Sequence, residues 1–399
     1  MAPRLRSASA LHNVLPEEAL RVIWLLLPVD ARARAACVCR AWRAFLSDTS
    51  LWQVLDLTPA GGVAEARVTE NLVRGAVRRA AGHLRVFSMN RAPDLHALVV
   101  EVVVSDGAGL EEFTTGVRLS IDDLRTVFAA APRLRVLNTH VLDECTELLP
   151  LLRNSPPYGP LRVSTLGVSF RGDEGAAEFD ALAAAMAAHE PLKSIWVRDE
   201  AYSRGVNALM DTAAVQRVAR FRLHDCDLDD ESVPALARLL SRGSLTSLEF
   251  SCELFAPGPE AALELWAALR SCRTLTHLRL QINAPTGENR RDILELIDSA
   301  ASLPDLAVLD LSYGEVEDNA ATGHALAALL RANRPSFRGL YLSYCTLDDE
   351  GMGLVLDGLA ANTHLRELYC DGNDLSDELW RDRVEPALAA LAARAQRDA

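Results

Sequence analysis

Lysine is nearly missing from this 399-residue chain: of 41 basic residues only Lys193 is a lysine, and the rest are arginines. Codon usage in a GC-rich genome gives that bias, since it favours Ala and Arg alike. The alternative is selection against lysine-directed modification, for which arginine is no acceptor. Positive charge as a whole is also short, with 55 acidic residues and a net charge of −14. That excludes a general nucleic-acid binder, because phosphate affinity comes mainly from Lys and Arg. Eight cysteines are scattered without the short spacings of a disulfide framework; reduced thiols in the cytosol or nucleus are expected. No apolar run is long enough to span a bilayer, so no membrane partner is expected. The stretch Val22–Leu27, between Glu17-Glu18 and Pro28, reads as a buried helix and not as a secretory segment. Gly-x-Ser-x-Gly, His-Glu-x-x-His and a P-loop are missing too, so no catalytic residue, metal or cofactor is expected. Asp225-x-Asp227-x-Asp229 has the opening of a calcium loop without the later Gly and bidentate Glu. It reads as a solvated turn before a helix.

What is present begins with a 49% hydrophobic content, enough for a sizeable core. Residues 1–11, rich in Arg, Ser and Ala, are expected to be a disordered tail. Leu15-Pro16-Glu17-Glu18 then sets up a helix start, with Pro just inside and acids in the first turn. Ala19, Leu20, Ile23, Trp24 and Leu27 follow at helical spacing. Pro28 and Asp30 punctuate, and a second helical segment runs through Ala33, Ala36, Cys37 and Val38 to Trp42 and Phe45. A cap-rich turn at Ser47–Ser50 leads to Leu51-Trp52-Gln53-Val54-Leu55. Some forty residues make too small a core to stand alone, so such a unit needs a partner or a neighbouring domain.

This string resembles an F-box along its length. The resemblance rests on Leu15-Pro16-Glu17-Glu18, Ile23, Leu27, Pro28, Asp30, Val38-Cys39-Arg40-x-Trp42-Arg43, Asp48 and Leu51-Trp52. It implies a three-helix module over residues 12–57 that binds a Skp-type adaptor and, through it, a cullin. The adaptor contacts it implies are Leu15, Pro16, Leu20, Ile23, Trp24, Leu27, Val38, Cys39, Trp42, Leu51 and Trp52. Trp24 stands where the family usually has Phe, and Ala31-Arg32 replaces its usual leucine.

Further on, L-x-x-L-x-L or an apolar equivalent recurs, with middle residues at 137, 166, 195, 221, 248, 278, 309, 340 and 368. The gaps run from 26 to 31, which identifies a repeat. Phe221-x-Leu223-x-x-Cys226-x-Leu228, Leu340-x-Leu342-x-x-Cys345-x-Leu347 and Leu368-x-Cys370-x-x-Asn373-x-Leu375 carry the fuller signature. In these the Cys or Asn can bond backbone groups of the turn. Ala- and Leu-rich helical stretches lie between. The pattern resembles the ribonuclease-inhibitor class of leucine-rich repeats over residues 133–399, with Val384–Ala393 as a capping helix. Residues 58–132 read as irregular entry repeats: a helix at Val68–Ala81, a strand of Val and Leu at Leu98–Val104, and a helix at Leu119–Ala131. The fold class expected is α/β, a three-helix module followed by a leucine-rich-repeat solenoid with a concave parallel sheet and outer helices.

Side chains alternate along a strand, so residues between the repeat leucines face outward. Trp196, Arg198, Arg222, His224, Arg279, Tyr341 and Tyr369 are the expected contacts to an unknown protein target, being types that dominate interface energies. An acidic or phosphorylated segment is expected over Arg198, Arg222 and Arg279. Together these readings imply the substrate-recognition subunit of an SCF-type ubiquitin ligase, without catalysis of its own. The alternative is a leucine-rich-repeat scaffold outside ubiquitin transfer.

Overall fold

The computed structural model describes residues 15–59, 61–64, 67–89, 95–141, 165–169, 183, 193–198, 204–215, 218–224, 230–251, 259–281, 292–314, 316 and 318–398. The expected tail at 1–11 and the Asp225–Asp229 turn lie outside them. The chain divides into two units, Met1–Ser169 and Phe170–Ala399.

The first unit opens with α1 (Glu17–Leu26), α2 (Val29–Ala35) and α3 (Arg40–Phe45). The second helical segment of the sequence reading is therefore two helices. The break falls at 36–39, where Cys39 turns extended and its Sγ accepts from the Trp42 amide to cap α3. A 3-10 turn (Thr49–Trp52), capped by Asp48, leads into β1 (Val54–Leu57). Then follow α4 (Glu70–Ala80), β2 (Val86–Met89), α5 (His96–Asp106), β3 (Glu112–Leu119), α6 (Ile121–Ala130), β4 (Val136–Val141) and β5 (Thr165–Ser169). Each strand pairs in parallel with the next, Leu55 beside Phe87, Phe113, Leu137 and Leu166 in turn. A single carbonyl accepts two successive amides at each step: Gln53 from Arg85 and Val86, Arg85 from Glu111 and Glu112, Glu111 from Arg135 and Val136.

One element departs from the sequence reading. Leu98–Val104, whose β-branched run reads as a strand, is the middle of α5. Leu98, Val99, Val102 and Val103 are its buried residues, a spacing of one and four that only a helix brings to one face. Packing on that face overrides the strand propensity of valine. The strand lies instead at Glu112–Leu119.

In the second unit strands and helices alternate: β6 (Ser194–Arg198), α7 (Arg204–Val215), β7 (Arg220–His224), α8 (Val233–Ser241), β8 (Ser247–Ser251), α9 (Pro259–Ser271), β9 (His277–Gln281), α10 (Asp292–Ala301), β10 (Val308–Asp310), α11 (Asn319–Arg331), β11 (Gly339–Tyr341), α12 (Asp349–Ala360) and β12 (Glu367–Tyr369). A π turn (Trp380–Val384) then runs into α13 (Glu385–Asp398). All neighbouring strands are parallel, and Ile195, Phe221, Leu248, Leu278, Leu309, Leu340 and Leu368 form one buried row. The α/β class with leucine-rich repeats is what the structure shows. The Asn of the last repeat behaves as expected: Asn373 Oδ1 accepts from the Cys345 and Leu347 amides, and its Nδ2 donates to the Leu342 and Cys370 carbonyls. Helices α11 and α12 touch through their backbones. A Cβ on Gly323 would lie 2.6 Å from the Gly351 carbonyl oxygen, and one on Gly358 2.6 Å from Ala327 Cα.

Candidate functional site

In the N-terminal module α1 gathers Glu17, Arg21 and Glu18 on one side and is apolar round the rest. Leu20 and Trp24, four residues apart, turn inward. Val22, Ile23, Leu25 and Leu26 stay exposed, Leu26 at 78%. Beside this face lies a groove of about 260 Å³ lined by Leu15, Leu20, Ile23, Trp24, Leu27, Ala35 and Trp42. Trp24 and Trp42 meet edge to face across it, ring centroids 5.1 Å apart. Six of the expected adaptor contacts therefore come together. Pro16 is exposed at the start of α1, and Val38 is exposed in the turn before α3, both outside the groove lining. Cys39 serves as a helix cap.

Leu51 and Trp52 need correcting as contacts. Both are interior, with Trp52 fully buried and its Nε1 donating to the Leu46 carbonyl at 2.8 Å. The guanidinium groups of Arg32 and Arg79 stand over its ring at 5.4 and 5.2 Å. Arg32, one of the departures from the family pattern, is buried in α2 and donates to the Leu51 and Val54 carbonyls, joining helix to strand. Asp30, also buried, pairs with Arg34 and Arg67 at 3.0 and 3.3 Å. Sequence reasoning missed Val22, Leu25 and Leu26 as surface residues. The available signal was the run of apolar residues on both sides of α1.

In the second unit the strand register sets Trp196, Arg222, Glu249, Arg279, Asp310, Tyr341 and Tyr369 in one row across the open face of the sheet. Neighbouring strands run about 4.8 Å apart, within reach of cross-strand pairs. Glu249 sits at the centre of a charge cluster: Arg222 Nε is 3.1 Å from it, Arg279 Nη1 3.0 Å and His224 Nε2 3.4 Å. Arg279 Nε reaches Asp310 at 3.3 Å. Burial works against the charge on Glu249, but the His224 hydrogen bond and the charges of Arg222, His224 and Arg279 prevail and hold its carboxyl below the ordinary range. Trp196 meets His224 edge to face at 6.0 Å.

The expected contacts Arg222 and Arg279 also make ion pairs within the sheet. They alternate with Glu249 and Asp310 and pair with them, Arg222 keeping 47% of its side chain exposed, and the side chain of Arg198 lies outside the described residues. The register legible in the repeat, Arg-Glu-Arg-Asp at 222, 249, 279 and 310, was the signal for this. Beyond Asp310 the row turns aromatic. Tyr341 and Tyr369 meet at right angles, centroids 4.7 Å apart, and the Tyr341 hydroxyl donates to Glu367. Burial and that carboxylate push the Tyr341 phenol above its ordinary range.

Residues 12–58 match the F-box-like family model. The N-terminal module is an F-box-like domain. Domains of this kind generally bind Skp-type adaptors, and F-box and leucine-rich-repeat scaffolds are generally non-catalytic. Among solved structures, the chain is similar to an internalin from Listeria monocytogenes, at 14% identity and TM-score 0.37, over 82% of this chain and 87% of that one. It is also similar to the leucine-rich repeat-containing protein LegL7 from Legionella pneumophila, at 16% identity and TM-score 0.45, over 78% of this chain and 98% of that one. At these values the likeness carries no functional inference. An F-box-like domain followed by leucine-rich repeats is a protein-interaction architecture.

Proposed function

We propose that this chain is the target-recognition subunit of an SCF-type cullin-RING ubiquitin ligase. The observation that carries the reading is the unpartnered apolar face of α1 beside the Trp24–Trp42 groove, within an F-box-like domain. Full burial of a Leu or Val is worth roughly 1.5–3 kcal/mol, and Val22, Ile23 and Leu25 have about half of that left to gain and Leu26 more, so an adaptor that covers them is favoured. The repeats then hold a target protein, and other subunits supply the charged conjugating enzyme and the cullin. Catalysis is by proximity: the target's lysines are kept at high effective concentration near the thioester. No bond is made or broken by this chain. The setting proposed is the cytoplasm or nucleus, where the cysteines remain thiols.

The test is a pull-down of a Skp-type adaptor with the wild-type chain and with Leu25→Asp/Leu26→Asp, which alters exposed positions and leaves the module's core alone. Binding by the wild type that falls at least about a hundredfold in the double variant supports the reading, as burial of two charges in an apolar contact predicts. A wild-type chain that ignores the adaptor overturns it and leaves a leucine-rich-repeat scaffold.

A further inference from the structure

Where the N-terminal module adjoins α4, arginines gather around one acid. A groove of about 480 Å³ takes Asp30, Arg34 and Cys37 from α2 and the turn after it, Arg67 from the segment ahead of α4, and Asn71 and Arg79 from α4. The Asp30 side chain is 7% exposed, and two guanidiniums come to the same atom of it. Arg34 Nη1 lies 3.0 Å and Arg67 Nη1 3.3 Å from Asp30 Oδ2, while the two arginine side chains stay 63% and 57% exposed. A single carboxylate oxygen thus holds two cations side by side at the surface. Arg79 is fixed separately, by the Trp52 ring beneath it and by the bond from its Nη1 to the Gly75 carbonyl at 2.8 Å. Asp30 is the one carboxylate among the described lining residues, so three guanidinium charges face a single counter-charge.

On the outer helices exposed arginines are met by acids of the next helix: Arg74 by Glu101, Arg238 by Asp211 and Arg270 by Glu295. In the groove the acids run short, although the chain as a whole carries a net charge of −14. Like charges held at close range repel, and a ligand that brings negative charge removes that cost. Helix α4 adds to the same preference. Asn71 lies in its first turn, the end of a helix that favours an anion, and the acid of that turn, Glu70, pairs with Arg74 at 2.7 Å. Two carboxylates brought to one spot would repel each other. A phosphate monoester carries close to two charges and three acceptor oxygens on one phosphorus, and a guanidinium matches those oxygens two at a time.

We infer that this groove binds the dianionic head of a phosphate monoester, borne by a small molecule or by a side chain of a partner protein. Arg34, Arg67 and Arg79 take its oxygens. Asp30 positions the first two from inside the fold, and Trp52 positions the third. Arg34 belongs to the N-terminal module and Arg67 and Arg79 to the segment that follows it, so an anion held by all three ties the two together. The inference goes beyond the proposed function and does not rest on it: the groove shares no lining residue with the Trp24–Trp42 groove.

Cys37 supplies the readout, being exposed and on the wall of the groove. Its alkylation by iodoacetamide, a neutral reagent, is followed by mass spectrometry in the full chain at pH 8. The probes are glycerol 3-phosphate and a glycine heptapeptide with phosphoserine at its centre, each titrated to millimolar concentration. Saturable protection of Cys37 by at least one of them is expected, and which one protects names the source. Dimethyl phosphate, with one charge, and glutarate, with its two charges apart, should need at least about tenfold more. Arg34→Gln and Arg67→Gln each leave Asp30 one arginine, so its buried carboxylate keeps a partner. Measured against its own rate without ligand, each variant should need about tenfold more monoester or above. Arg238→Gln, in the second unit, leaves the protection unchanged. No saturable protection by either monoester, equal protection by glutarate or dimethyl phosphate, or undiminished protection in either Arg34→Gln or Arg67→Gln overturns the inference. Adaptor binding or its absence bears on the ligase reading alone.

Discussion

Arg32 is a buried cation with no ion-pair partner among the described residues; the Leu51 and Val54 carbonyls and the face of Trp52 hold it. Its replacement by alanine removes a charge-assisted hydrogen bond to Leu51, worth about 1.5–3 kcal/mol. It also removes a longer bond of 3.4 Å to Val54 and a cation–π contact of about 0.5–2 kcal/mol. Against these stands the recovered hydration of a guanidinium that burial already disfavours, pushing its pKa down. The net expectation is a loss of about 2–3 kcal/mol in the local stability of residues 29–57. Arg32→Leu returns the apolar residue typical of the family. It recovers apolar burial and lifts the desolvation cost, so it is expected within about 1 kcal/mol of wild type. Hydrogen exchange of peptides spanning the 3-10 turn and β1, read with urea, measures both. Unchanged protection in Arg32→Ala would refute the reasoning, as would a leucine variant as unstable as the alanine one.

Two further outcomes follow from the repeats. Glu249→Gln should lower the stability of the second unit at pH 7 by about 1–2 kcal/mol, since Arg222 and Arg279 lose their common counter-charge. The folded-state pKa of Glu249 is depressed, so its contribution is present above the ordinary value of 4.5 and is lost as pH falls through the folded value. Urea midpoints of wild type and variant should therefore converge at low pH, and a gap that widens there contradicts the assignment. Burial pushes the Cys345 thiol up to about 12 and the Cys370 thiol up to about 11, while Cys37 is exposed. Iodoacetamide at pH 8 should alkylate Cys37 before Cys345 and Cys370 and reach Cys345 only on unfolding, because its thiolate is then a fraction of order 10⁻⁴. A raised thiol pKa also makes this stability constant below the unfolded thiol pKa and lost as pH climbs towards 12. Mass spectrometry of the partly alkylated chain decides; early modification of Cys345 sinks the account.

The repeat was legible because each leucine row obeys one period and one face, and Phe221, Leu248 and Leu278 need no knowledge of their neighbours to be placed inward. Legibility failed where a local pattern served two structures. Leu98–Val104 is β-branched enough for a strand, yet its buried residues fall at helical spacing because they pack within α5's own repeat. Val54-Leu55 looked like the end of the helical module and is the first strand of the ladder, paired with Val86 and Phe87 thirty-two residues on. That pairing is made from more than thirty residues away, by the Arg85 and Val86 amides that donate to the Gln53 carbonyl.

The candidate sites divide along the same physical line. Residue type located Tyr341 and Tyr369, but only the fold brings Arg34, Arg67 and Arg79 together, since no period joins α2 to α4. Arginines at 222 and 279 promised a basic patch until register put Glu249 between them. In α1 the difficulty was of another kind. Outside the side that carries Glu17, Glu18 and Arg21 the helix is apolar, a breadth that calls for burial, yet Leu20 and Trp24 use only part of it. Within that apolar arc the sequence does not rank Leu20 and Trp24 above Val22 and Leu26, and the fold resolves the ambiguity by burying the first pair. What remains, Val22, Ile23, Leu25 and Leu26 in water, is unfavourable for a free chain and favourable for one whose interior is completed by another protein.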